Sequence, residues 1–190
     1  MKIFYKTDEG ESLITVRFEA SLKGVRADNL YSMLFDISNR MEWDEDIKSI
    51  DLLHKKSGHE DIIVEEVNMP FPLTNREYVK WRYYVSNKDN PGLVRQHGLY
   101  DISSPYYAVT MKSINVYELP EKENVVRGEI KKSYWFIRED PHDKNSCKIK
   151  VVVSQDLKGM IPQFILNRLA AKYPKKMLNN FLDSYKQIFL

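Results

Sequence analysis

The feature that most constrains this chain is its last stretch, Ser154 to Leu190 (SQDLKGMIPQFILNRLAAKYPKKMLNNFLDSYKQIFL). Gly159 breaks the pattern before it, and Pro162 suits the first turn of a helix. Ile165, Leu166, Leu169, Ala170, Tyr173, Met177, Leu178, Phe181, Leu182, Tyr185 and Ile188 then recur at helical spacing as one wide apolar stripe. Arg168, Lys172, Lys175, Lys176, Asp183 and Lys186 occupy the other face. Pro174 removes a backbone donor mid-pattern and predicts a kink. Burying about eight such side chains is worth roughly 1.5–3 kcal/mol each, so the helix must lie on something large and apolar. An ordinary core helix meets that requirement, and so does a lid over a cavity.

The remaining 153 residues are enough for one domain around that helix and too few for a second, so residues 1–190 read as a single domain. A net charge of +2, from 29 basic and 27 acidic residues, comes without a basic stripe and argues against nucleic acid as a partner. One cysteine, Cys147, excludes an internal disulfide framework and a cysteine-based metal cluster. The amino terminus shows no signal-peptide pattern, no apolar run reaches the length of a membrane span, and there is no Asn-x-Ser/Thr sequon. These features lead to the expectation of a cytoplasmic protein.

Upstream, residues 3–6 and 13–22 read as strands around a polar hairpin loop, Thr7 to Ser12. Val25 to Ile37 switches to helical spacing, with Asp28 as its N-cap. The acidic segment Met41–Asp51 reads as a turn and short helix, with Asp44, Glu45 and Asp46 as a solvated run. Strands are expected at 47–54 and 60–69, joined by a polar turn at Lys55–His59, and then at Arg76–Ser86, 93–100 and 107–117. Leu119–Asn124 reads as a protruding loop. Strands at Val125–Ile137 and Lys148–Gln155, with a turn at Asp140–Ser146, complete the set. Seven to nine mostly antiparallel strands, one earlier helix and a long closing helix suggest an α+β grip, a curved sheet wrapped around the terminal helix. Space between sheet and helix follows naturally from that shape.

Standard catalytic signatures are missing: there is no nucleophile elbow, zinc-protease motif, P-loop or dinucleotide fingerprint. The histidines at 54, 59, 97 and 142 are scattered. No catalytic residue, cofactor or metal ligand is therefore expected. The unusual residues are the arginines in an apolar strand. Arg76 and Arg82 share a strand face with Tyr78, Lys80 and Tyr84, opposite Glu77, Val79, Trp81, Tyr83 and Val85. Alternation makes the arginine side the solvent face. If it faces a cavity instead, each guanidinium needs a carboxylate or phosphate partner, with Glu66 as one candidate.

Trp43-Asp44 after the first helix, Pro70-Phe71-Pro72-Leu73-Thr74-Asn75-Arg76-Glu77-Tyr78-Val79, Val125-Val126-Arg127-Gly128, and Asp156-Leu157-Lys158-Gly159-Met160-Ile161-Pro162 running into Phe164-Ile165-Leu166-Asn167 and Pro174 follow one another along almost the whole chain. In that order they resemble the START family of lipid-transfer domains, and within it the phosphatidylcholine-transfer-like branch. The resemblance implies a helix-grip fold enclosing one lipid in a tunnel, with the family's amino-terminal helix shortened or absent here. It implies lipid contact by Arg76, Arg82, Glu66, Tyr78, Phe164 and Ile165, with Arg76 on a phosphate and Arg82 paired to an acid near Glu65 or Glu66. It also implies a lid or gate at Leu119, Pro120, Gly159, Ile161 and Pro162. Where choline-binding members carry tyrosine and glutamine, this chain has Lys131, Ser133 and Ser154, which departs from an aromatic choline cage. The expected function is non-enzymatic carriage of one lipid, a phospholipid or else a sterol, by a monomer that visits membranes transiently. The alternatives are a lipid-sensing interaction module and a helix-grip enzyme of cyclase or hydrolase type.

Overall fold

In the computed structural model, the described residues are 1–7, 10–87, 106–117 and 119–189. The elements run β1 (Lys2–Thr7), β2 (Leu13–Leu22), α1 (Ala27–Phe35), α2 (Ile37–Trp43), β3 (Ile47–Ser57), β4 (Glu60–Val67), β5 (Arg76–Ser86), β6 (Tyr106–Ser113), β7 (Val126–Arg127), β8 (Glu129–Asp140), β9 (Asp143–Asp156) and α3 (Gln163–Phe189). The strand order β1-β2-β9-β8-β6-β5-β4-β3 is antiparallel throughout, and β7 alone adds a parallel pairing to the start of β5. This curved sheet and its carboxy-terminal helix form the expected helix grip.

Local boundaries differ from the sequence reading where side chains supply their own hydrogen bonds. The helix expected over 25–37 begins at Ala27, so Asp28 sits in its first turn, paired with Arg26, rather than at the cap. Asp36 separates two helices: its N–H donates to Ser32 O and its carboxylate accepts from Asn39 N. The β3–β4 turn tightens because the polar residues 55–57 continue an edge strand, where solvent satisfies them. Asp140 and Asp143 accept from His142 N and Asn145 N, which shrinks the β8–β9 turn and lets both strands start or end in polar residues. Gly128 splits the strand expected from Val125, because the Tyr78 ring fills the place a Cβ would take there. The strand expected at 93–100 lies outside the described residues.

The buried side chains do not form one core. One cluster gathers α1, β2, β6, β9 and the second half of α3 around Phe18, Leu30, Trp43, Ile149 and Phe181. A second gathers β3, β4 and the first half of α3 around Ile14, Ile50, Ile63, Leu157 and Leu166, and a small third one, Val85 and Tyr106, lies away from α3. A single helix therefore bridges two packed ends, and the span between them is hollow.

Candidate functional site

The hollow lies between the inner face of the sheet and the middle of α3. It contains about 1310 Å³ of empty space counted out to its mouth, of which about 170 Å³ can be reached by the centre of a water molecule. One water needs only about 10–15 Å³ on that second measure, so this space far exceeds a packing defect. Its wall is largely apolar: Ile14, Val16, Phe18, Val151 and Val153 from β2 and β9, with Leu169, Ala170, Pro174 and Met177 from α3. Pro174 cannot donate to the Ala170 carbonyl, and both residues line the hollow.

β5 crosses this wall with the face that alternation assigned to solvent. Arg76, Tyr78, Lys80 and Arg82 are 3, 4, 8 and 5% exposed, and the last three line the hollow. Alternation misjudged the strand because its other face is covered too: Glu77 and Val79 are each 1% exposed. Each cation is then matched separately. Arg82 forks onto Asp61, Nε to Oδ1 at 2.7 Å and Nη2 to Oδ2 at 2.8 Å, and donates to Phe35 O. Lys80 Nζ lies 2.5 Å from Glu65 Oε1. Arg40 stacks over the Trp43 ring at 4.5 Å and pairs with Asp44. Burial would raise the Glu65 carboxyl, but Lys80 and Arg40 outweigh it and hold the group below its usual range. Burial pulls Lys80 down and pushes Asp44 and Tyr173 up.

Arg76 has a different environment. Its guanidinium donates to backbone carbonyls: Nε to Leu157 at 2.6 Å, Nη1 to Thr74 at 2.5 Å and Nη2 to Lys158 at 3.2 Å. Burial lowers its pKa, and no carboxylate among the described residues pairs with it. It grips a turn in which Lys158 and Gly159 both take positive φ, 57° and 80°. Leu157, whose carbonyl it holds, lines the hollow.

The expectations for the acidic residues need correction. Glu66 does not partner a cavity arginine. It lies on the opposite strand face from Glu65, accepting from Lys48, Asn75 and Lys122. The acid paired with Arg82 is Asp61, because the β4–β5 register sets those two residues directly across from each other. Asp44 is buried beside Arg40 rather than solvated.

Phe164 is 71% exposed and Ile165 half-buried, and neither lines the hollow; residues one to three turns further along α3 do. Leu119 and Pro120 are held by their carbonyls to Arg127, which is anchored on Glu77 on the outer face of the sheet. Ile161 packs against the second core cluster, and the Pro162 carbonyl accepts from Ile165 N and Leu166 N at the start of α3. Ser133 lines the hollow and accepts from Trp135 Nε1, whereas Ser154 bonds Thr15 and Lys131 pairs with Glu129 on the surface.

The turns around Arg76 also carry exposed apolar side chains. Phe71 in the β4–β5 turn and Met160 before α3 are 98 and 102% exposed, and Tyr117 in the β6–β7 connection is fully exposed. Arg76 ties two of these turns together, and β7, which follows the third, pairs with it directly.

Among the described residues, no helix is long and apolar enough to cross a membrane. The family model described as START domain matches residues 1–184. The phosphatidylcholine transfer protein of Mus musculus is 27% identical over 180 residues, covering 95% of this chain and 75% of that protein. The crystal structure of human STARD10 superposes with a TM-score of 0.73 at 22% identity, covering 98% of this chain and 72% of that one. A STAR-related lipid transfer protein fragment from Xanthomonas axonopodis gives a TM-score of 0.67 at 21% identity, covering 94 and 89%.

Proposed function

Since this chain belongs to the START domain family, we propose that it binds one lipid in the hollow under α3 and moves it between membranes without chemically altering it. The observation that carries this reading is the divided core: a helix bridges two packed ends over an apolar space that no side chain fills. Exposing hydrocarbon to water costs about 0.8 kcal/mol per methylene, so a lipid of about thirty methylenes faces on the order of 24 kcal/mol unaided. An apolar wall removes most of that barrier.

The phosphate of a phospholipid is the partner that Arg76 lacks. Its guanidinium is buried, charged and satisfied by three carbonyls and the Thr74 hydroxyl, all neutral acceptors, so an arriving phosphate would offer it the stronger, charge-assisted bonds. The exchange would release the Leu157 and Lys158 carbonyls, loosen the Gly159 turn and free the start of α3. Phe71, Tyr117 and Met160 crowd the same end and suit shallow insertion into a bilayer, where that opening would pass lipid directly to and from the membrane.

The test is transfer of a fluorescent phospholipid between vesicles, with native mass spectrometry of co-purified lipid. Transfer is expected, falling at least about tenfold in Arg76→Ala and in Phe71→Asp/Met160→Asp. A protein that purifies empty and moves no lipid ends the proposal, and unchanged transfer in Arg76→Ala removes that residue from it.

A further inference from the structure

The face of the sheet turned away from the hollow carries a surface that lipid carriage leaves unused. Arg82, Met111, Ser133 and Val151 line the hollow, so the residues alternating with them point outward. Cross-strand register sets six outward residues in one row over six adjacent strands: Phe4, Arg17, Val152, Tyr134, Thr110 and Tyr83. Phe4 and Tyr134 are 57 and 53% exposed. Trp81 stacks on Tyr83, with ring centroids 5.9 Å apart and planes inclined by 13°. Two lysines flank this row with no acid to answer them. Lys112 and Lys132 are exposed and stand at the next positions beyond Met111 and Ser133, the last pair of the β6–β8 ladder. Like charges set across from each other destabilise a sheet. Among the described residues neither ammonium has a hydrogen-bond or ion-pair partner, and Lys112 rests over the Trp81 ring, 5.6 Å from its centroid. The neighbouring cations show the contrast: Lys131 pairs with Glu129, and Lys150 with Glu19.

We propose that this outer face binds a short acidic and aromatic peptide segment of a partner protein, laid in extended form across the strands. Five strand spacings of about 4.8 Å make the row about 24 Å long, the reach of about seven extended residues. The rings of the row receive aromatic side chains, and Lys112 and Lys132 receive a pair of carboxylates. A nucleic acid strand needs a groove of cations along its whole backbone, and two unclaimed ammonium groups do not make one. A bilayer needs side chains that protrude, as Phe71 and Met160 do near Arg76, whereas Trp81 and Tyr83 lie half-buried against each other.

The test is fluorescence polarisation with labelled heptapeptides that hold two glutamates and two phenylalanines, in every arrangement, among serines. Some arrangements are expected to bind the wild-type chain at least about tenfold more tightly than their lysine-for-glutamate counterparts. Lys112→Glu/Lys132→Glu is expected to weaken the best binder at least about tenfold and to bind its lysine counterpart instead, with lipid uptake unchanged. Tyr134→Ala, which keeps both charges, is expected to weaken the same peptide about tenfold. The site is overturned if no arrangement outbinds its lysine counterpart, or if charge reversal leaves the affinity where it was. Tighter binding of oligodeoxythymidine or of phosphatidylserine vesicles, lost in the same double variant, overturns the peptide as occupant and assigns the face to a nucleic acid or a membrane.

Discussion

Filling the hollow with the protein's own side chain separates a void from a packed core by the sign of the stability change. Val153 lines the hollow from β9 and is a partly buried residue at the margin of the first core cluster. At about 24 cal/mol per Å³, a void of about 170 Å³ represents about 4 kcal/mol of packing left unmade. In Val153→Phe the added ring atoms occupy about a third of that space, which recovers about 1 kcal/mol. In a chain of this length that raises Tm by about 2–4 °C. The same substitution in a filled core costs about 1–3 kcal/mol through forced rotamers and backbone shifts. Urea unfolding of lipid-stripped protein reads the stability, and uptake of a fluorescent phospholipid reads the space. Val153→Phe is expected to be at least as stable as wild type and to take up lipid at least about tenfold less well. A variant that is destabilised by about 1 kcal/mol or more yet takes up lipid normally would falsify the premise that the hollow is the binding space.

Further outcomes follow from individual contacts. Gly128→Ala places a Cβ within the Tyr78 ring, with Cζ 2.9 Å away; urea denaturation should register a loss of about 1–3 kcal/mol, with lower lipid uptake as the ring is driven into the hollow. Lys48, Asn75 and Lys122 hold the Glu66 carboxyl down to about 2 from an ordinary 4.5. A depressed folded pKa contributes stability that is complete above the unfolded value and lost as pH falls through the folded one. Stability should therefore decline from pH 4.5 towards 2, and Glu66→Gln should be less stable at neutral pH and flatter across that range. Burial pushes the Cys147 thiol up to about 12, so a thiol reagent at mildly alkaline pH should label folded protein at least about a thousandfold more slowly than urea-unfolded protein.

Sequence and structure agree most closely where periodicity has one interpretation. The α3 stripe, the Leu13–Leu22 alternation and the proline at the helix start all read directly, because each concerns one element against one surface. β5 was ambiguous for the opposite reason. Both of its faces are covered, one by the hollow and one by Arg127 and Lys122 on Glu77, so alternation carries no inside-outside signal there. The resemblance to START domains selected the cavity side, and the structure agrees for Tyr78, Lys80 and Arg82. The acidic partners were out of reach because they depend on cross-strand register. Placing Asp61 opposite Arg82 and Glu65 diagonal to Lys80 requires knowing where the Asn68–Asn75 connection ends, and that connection contains three residues with no periodic neighbours, Pro70, Phe71 and Pro72. The cavity-lining segment of α3 was also misplaced, towards Phe164 and Ile165. The apolar stripe runs the whole length of the helix, and nothing in its period marks which turns meet protein and which meet empty space.

Pro174 gives the lid a mechanical property that an all-alanine helix of equal length would lack. The two arms of α3 are rooted in different clusters, and the peptide link between Ala170 and residue 174 was never bridged. Flexing at that point sacrifices no main-chain bond, so the arms can splay slightly while their anchors stay put. Cargo of differing girth would be accommodated by bowing the roof at mid-span, and the walls would not need to be rebuilt for each guest.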